Sequence, residues 1–92
     1  MAIKIIAARL EGGKFHESIT KLRWINPGSG ETGESFVSAI VAWLEDDDGK
    51  AYVDEGIHRV AVEIIKPTFG PKFLRTRADG IWKNNLLELP RF

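Results

Sequence analysis

The motif G-x-G-x-x-G is formed by Gly28, Gly30 and Gly33, in the stretch "INPGSGETGES" between a strand-like run and a helix-like run. In dinucleotide-binding proteins, such glycines let backbone N–H groups at a helix N-terminus approach a pyrophosphate, and an acid about 20 residues later binds the ribose. Asp54 stands 21 residues after Gly33 and has that spacing. The spacing of the glycines and of Asp54 therefore matches that of a dinucleotide-binding site.

The charges around these glycines argue against a nucleotide. Lys21 and Arg23 lie in the preceding run, where a parallel central strand would be apolar throughout. Glu31 and Glu34 put negative charge where a phosphate would sit, and no later helix provides further crossovers. A P-loop is excluded because its lysine is absent. We predict a strand-to-helix loop, with an anion- or partner-binding role for the glycines as the alternative.

Three consecutive acids, Asp46, Asp47 and Asp48, follow the predicted helix. Acids at this end oppose the helix dipole by about 0.3 to 1 kcal/mol each, so they do not serve the helix. The run "EDDDGKAYVDEG" lacks the register of a calcium loop. We predict a solvated loop that turns at Gly49, and the alternative is an acidic docking surface for a basic partner.

The strongest local signal is the pair Asp79-Gly80, which favours a two-residue hairpin turn between "FLRTRA" and "IWKNNLL". The turn predicts that Arg77 faces Trp82 and that alternate positions share a face. That face is predicted to carry Phe73, Arg75, Arg77, Trp82 and Asn84. Arginines and aromatic rings in this arrangement can bind phosphates, bases or an acidic peptide. The alternative is an ordinary cation–π pair that only stabilises the sheet.

The remaining reactive residue types do not form a recognisable catalytic set. His16 and His58 are the only histidines and lie 42 positions apart, and the chain has no cysteine. No nucleophile, base and acid stand at a telling spacing. The sequence therefore predicts no catalytic residue, no metal site and no cofactor.

Hydrophobic periodicity predicts the elements that position these residues. The runs "AIKIIAARL", "ITKLRWI", "AYV" and "HRVAVEIIK" are typical of strands, and the first two are expected to pair. "SFVSAIVAWLE" predicts a helix from about Ser35 to Glu45, capped by Ser35 or Thr32. The expected fold is α+β, a single domain over 1–92 with a mostly antiparallel sheet of five or six strands and one helix packed on a face.

Composition limits the class of protein. The chain is 43% hydrophobic and has zero net charge, distributed as +3 over 1–25, −7 over 26–56 and +4 over 57–92. Separated charges of this kind can steer partners. The sequence lacks a signal peptide and a membrane span, so we expect a cytoplasmic protein without a membrane partner. Val37 and Val41 widen the apolar side of the helix, which predicts cover by another strand or by a second subunit, as in a homodimer.

The runs "ARLEGG", "GETGES" and especially "FLRTRADGIWKNNLLELPRF" resemble a family of small bacterial and phage proteins known only as a domain of unknown function. The resemblance covers nearly the whole chain and implies a stand-alone domain, without any activity or catalytic residue. The preferred function is a non-enzymatic binding module for an anionic ligand, nucleic acid or protein partner. A self-associating adaptor and a small nucleotide-binding or hydrolytic enzyme are the alternatives.

Overall fold

In the described residues, seven strands form one sheet, and two helices and one 3-10 turn accompany it. The computed structural model describes residues 2–55, 58–78 and 80–92. The strands are β1 (Ala2–Leu10), β2 (Ile19–Ile25), β3 (Thr32–Phe36), β4 (Lys50–Glu55), β5 (His58–Ile65), β6 (Phe73–Ala78) and β7 (Ile81–Lys83). The helices are α1 (Val37–Asp46) and α2 (Asn85–Glu88), and the 3-10 turn η1 spans His16–Ser18.

The strands form one sheet in the order β3-β2-β1-β4-β5-β6-β7. Only β1 and β4 run parallel among these neighbours, because α1 carries the chain across the sheet between β3 and β4. The predicted α+β class and the pairing of β1 with β2 are confirmed. The predicted count of five or six strands is too low, and the sheet is mixed.

The difference in strand count comes from β3, which the sequence assigned to a loop and a helix start. The predicted helix start at Ser35 is wrong, because α1 begins at Val37 and no side chain caps it. The hydroxyl of Ser35 instead accepts a hydrogen bond of 3.1 Å from Trp24 Nε1 on β2. Gly33 lies beneath the same indole, where a Cβ would come within 2.5 Å of the ring. The close approach of Trp24 thus explains a glycine inside an edge strand.

The inner face of the sheet packs on α1 and forms the core. Alternate residues of β1, β2, β4, β5 and β6 lie on this face, and the buried cluster joins them to Val37, Ile40 and Val41 of the helix. The wide apolar side of α1 is therefore covered within the chain. Contacts within the chain therefore account for the burial of Val37 and Val41, and this burial does not require a second subunit.

The C-terminal segment closes a gap in the sheet. β1 pairs with β4 only over Ala2–Lys4, and beyond that point Ala8 N–H donates a 2.9 Å hydrogen bond to the carbonyl of Pro90. Leu86 of α2 has no exposed surface and joins the core cluster. The sequence predicted that the second hairpin strand continues through "NNLL", which is wrong, since Asn85–Glu88 is helical.

The acidic run lies at the end of α1. The helix ends at Asp46, Asp47 is its C-cap, and all three aspartates are exposed. The predicted turn at Gly49 is wrong in detail, because the left-handed residue is Asp48, with φ of 53°. Aspartate tolerates this conformation better than most residues. Gly49 is needed for another reason, since a Cβ there would clash with the ring of Trp43.

Candidate ligand-binding face

The β6–β7 hairpin has the predicted register. Arg77 pairs with Trp82, Thr76 with Lys83 and Ala78 with Ile81. Gly80 has φ of 77°, as the predicted turn requires, and Asp79 lies outside the described residues. The Arg77 guanidinium carbon lies 5.0 Å from the centre of the Trp82 ring. The local pattern therefore predicted this cation–π pair and the hairpin that positions it.

Arg75 holds the end of the same hairpin. Its Nε donates to the carbonyl of Lys83 at 3.1 Å, and a second guanidinium nitrogen donates to Asn84 Oδ1 at 3.2 Å. Asn84 follows β7 and joins the predicted set through this bond rather than through the ladder. Phe73 lies on the same face as Arg75 and Arg77 by alternation along β6. The predicted residues are thus brought together, and Arg75 has a bracing role within the group.

The face of this hairpin continues across the whole sheet, on the side opposite α1, and we call it the outer face. Strand register places five cation–ring contacts on it, over the strands from β3 to β7. They are Arg9 and Arg23 with Phe92, Lys21 with Phe36, Arg59 with Tyr52, and Arg77 with Trp82, at 4.2 to 5.2 Å. A chain of this length is expected to hold only about one or two significant contacts of this kind. The presence of all five cation–ring contacts on one face distinguishes the outer face from the rest of the described surface.

The outer face is also electropositive. In the described strands, it carries eight cationic and three anionic side chains, a surplus of five positive charges in a chain whose net charge is zero. The cations are Lys4, Arg9, Lys21, Arg23, Lys50, Arg59, Arg75 and Arg77, and the anions are Glu34, Asp54 and Glu63. The rest of the molecule therefore carries the compensating negative charge, which gives the protein two electrostatic sides.

Ion pairs with a few acids restrict the positions of the cationic groups but do not neutralise the outer face. Asp54 lies between Lys4 at 3.5 Å and Arg59 at 3.9 Å, and Glu63 is 3.9 Å from Arg77. These side chains are 35 to 68% exposed, so each pair contributes little to stability. The acids restrict where the cationic groups lie and leave a surplus of positive charge facing solvent.

Glu34 makes the strongest of these pairs. Its Oε2 accepts hydrogen bonds from two nitrogens of Arg23, at 2.8 and 3.1 Å. The bonds from Arg23 hold the pKa of the Glu34 carboxyl below its usual range. The Arg23 guanidinium also lies 4.4 Å from the centre of the Phe92 ring. Arg23 is therefore fixed on two sides, by a carboxylate and by a ring.

The glycine loop has a different geometry from the one predicted. It joins β2 to β3 as a hairpin, so the strand-to-helix prediction is wrong. The N–H of Gly28 donates to Asn26 Oδ1 at 2.9 Å, and the N–H of Gly30 donates to the Asn26 carbonyl at 2.7 Å. Gly33 lies in β3, outside the loop. These internal bonds use donors that a phosphate cradle would need.

The two histidines have different surroundings. His58 is exposed at the start of β5, whereas His16 in η1 is only 7% exposed and its Nε2 has no hydrogen-bond partner among the residues that the structure describes. Burial lowers the pKa of His16 below 6.5, and the positive charge of Arg75 lowers it further. Among the described residues, no three His, Asp or Glu side chains form a possible metal site. His16 is thus a buried neutral group beside the hairpin.

His16 makes stability depend on pH. The unfolded chain binds a proton near pH 6.5, and the folded chain binds it only at lower pH. Stability from this residue is therefore complete above pH 6.5 and lost as pH falls through the folded-state pKa. We expect the Tm of the wild type to fall more between pH 7 and pH 5 than that of His16→Gln, measured by circular dichroism. His58→Gln is the matched control, and an equal pH dependence of all three proteins would exclude His16 as the source.

The fold and the site define a small α+β domain with one helix-covered and one cation-rich sheet face. Residues 4–90 match the family model described as protein of unknown function (DUF3892), and the chain belongs to that family. No curated protein and no solved structure gives a significant match. In the described part of the chain, neither helix is long and apolar enough to cross a membrane.

Proposed function

We propose that this chain is a non-enzymatic binding module whose outer face takes an anionic ligand or partner. The observation that carries the proposal is the joint placement of five cation–ring contacts and five surplus positive charges on one face. Rings that hold guanidinium groups in place reduce the entropy lost when those groups bind an anion. Contacts within the folded chain hold these guanidinium groups in place before any ligand binds.

The distribution of charge over the molecule also supports the binding of an anion at the outer face. Because the whole chain is neutral, the positive outer face is matched by negative charge elsewhere, and the resulting field orients an approaching anion toward this face. The exposed acids Asp46, Asp47 and Asp48 contribute to the negative remainder. A polyanion would therefore bind at the outer face and be repelled from the end of α1.

Arg59 and Arg77 are the best probes of this function. Their side chains are 68% and 44% exposed, and among the described residues each makes one ion pair, at 3.9 Å. Arg75 is a poor probe because it braces the hairpin. We expect Arg59→Glu/Arg77→Glu to weaken binding to heparin roughly tenfold or more, since two attractive contacts become repulsive.

The test measures the salt concentration that elutes each protein from immobilised heparin. Lys14→Glu/Lys66→Glu is the matched control, because it makes the same change in net charge at exposed positions off the outer face. The control should elute near the wild type, and the Arg59→Glu/Arg77→Glu protein well before it. Failure of the wild type to bind, or equal losses in the two variants, would refute the proposed function.

A further inference from the structure

We propose that the anionic partner of the outer face is a single-stranded nucleic acid, an inference that rests on the proposed function and names its partner. Three arginines carry it, since each lies over an aromatic ring. The guanidinium carbon of Arg59 is 4.2 Å from the centre of Tyr52, that of Arg23 is 4.4 Å from Phe92, and that of Arg77 is 5.0 Å from Trp82.

Each of these guanidinium groups lies over a ring, and its side chain retains exposed surface. The side chains of Arg23, Arg59 and Arg77 are 43%, 68% and 44% exposed. A planar guanidinium can stack on a nucleic-acid base while its N–H groups bond to phosphate. Two nitrogens of Arg23 are already bonded to Glu34, so the N–H groups of Arg59 and Arg77 are the ones left for phosphate. An acidic protein would use the N–H groups alone, because a carboxylate has no extended plane to stack. Guanidinium groups held over rings on an exposed face therefore favour a ligand that has both bases and phosphates over one that has only carboxylates.

The three arginines lie on different strands and are therefore distributed across the width of the sheet. Arg23 is on β2, Arg59 on β5 and Arg77 on β6, which spans about 19 Å at a strand spacing of ~4.8 Å. Two exposed rings extend the path to both sheet edges, with Phe36 on β3 59% exposed and Trp82 on β7 37% exposed. Aromatic platforms of this kind stack unpaired bases, which a duplex keeps inside its helix.

The binding test uses the whole chain and labelled oligonucleotides of about 12 nucleotides, the length range of single-strand sites. Fluorescence anisotropy compares a mixed-sequence DNA, the RNA of the same sequence, the duplex, and an abasic DNA with the same phosphates. We expect DNA or RNA with bases to bind at least about fivefold more tightly than the abasic strand. The logarithm of the affinity should fall with that of salt with a slope of about −2 to −3, for three or four phosphate contacts.

The duplex and abasic strands decide whether bases take part. Equal affinity for the abasic strand, or tighter binding of the duplex, would overturn the inference. If heparin still binds in that case, the proposed function survives. If neither heparin nor any oligonucleotide binds, both fail. A higher affinity for RNA than for DNA would identify the sugar that the face prefers, and a preference for either strand over the abasic one supports the inference.

A charge-conserving variant separates stacking from electrostatics. Arg59→Lys/Arg77→Lys keeps both positive charges and removes both planes. We expect its affinity for the single strand to fall at least about fivefold, and the preference for the strand with bases over the abasic strand to be lost. Unchanged affinity for the single strand would overturn the inference, because phosphates alone would then account for binding.

Discussion

Replacing Leu86 by alanine is expected to lower the free energy of unfolding by about 2 to 5 kcal/mol. Leu86 has no exposed surface and belongs to the core cluster, although it lies in a helix of only four residues. Alanine is a good helix former, so the loss comes from the cavity rather than from the helix. Since a domain of this size has a total stability of about 5 to 15 kcal/mol, the variant should lose a large fraction of its stability.

The measurement is urea unfolding followed by circular dichroism, with Leu87→Ala as the matched control. Leu87 is the next residue, is half-buried and packs only against the edge of the cluster. We expect the Leu87 variant to lose clearly less stability than the Leu86 variant. A loss below about 1 kcal/mol at Leu86, no larger than the loss at Leu87, would show that the C-terminal segment is not part of the core.

Replacing Thr76 by valine is expected to cost about 1 to 3 kcal/mol, although the two side chains have nearly the same shape. Thr76 is fully buried, its hydroxyl donates to Asn85 Oδ1 at 3.0 Å, and it accepts from the Asn85 N–H at 3.3 Å. Valine would leave both groups of Asn85 buried without a partner. This pair connects β6 to the start of α2 and so fixes where the C-terminal segment turns.

A double-mutant cycle with Asn85→Ala tests this interpretation. If the two side chains stabilise the fold through each other, the double variant should be more stable than the sum of the single effects predicts, by about 0.5 to 3 kcal/mol. Additive losses would mean that the Thr76 hydroxyl does not stabilise the fold through the Asn85 side chain. The thermal midpoint of each variant gives the measurement, and about 1 kcal/mol corresponds to a shift of 4 to 8 °C.

Local sequence patterns predicted the elements that local forces decide. The pairing of β1 with β2, the helix across the sheet and the Arg77–Trp82 register follow from alternation and turn chemistry. The strand β3 was missed because "TGESF" has little strand propensity of its own. Its stability comes from Trp24 over Gly33 and from Arg23 bonded to Glu34, which are contacts with another strand.

The outer face was predicted only where it is local. The sequence identified the hairpin residues, since Arg77 and Trp82 are five positions apart. It missed Arg59 with Tyr52, and Arg23 with Phe92, although the cationic alternation of β2 was visible in "KLRW". Phe92 reaches Arg23 only because the C-terminal segment lies along β1. Periodicity shows which side of a strand is polar, but not which distant ring will cover it.

The seating of the C-terminal segment against β1 imposes an order on biosynthesis. β1 is synthesised long before Pro90 and Arg91, so its edge at Ala8 stays unpaired until those two residues have been made. Contacts between such distant positions form slowly because a long loop must close first. The nascent chain therefore cannot cover this edge of β1 before residues 90 and 91 have emerged, and until then the edge is open to other strands.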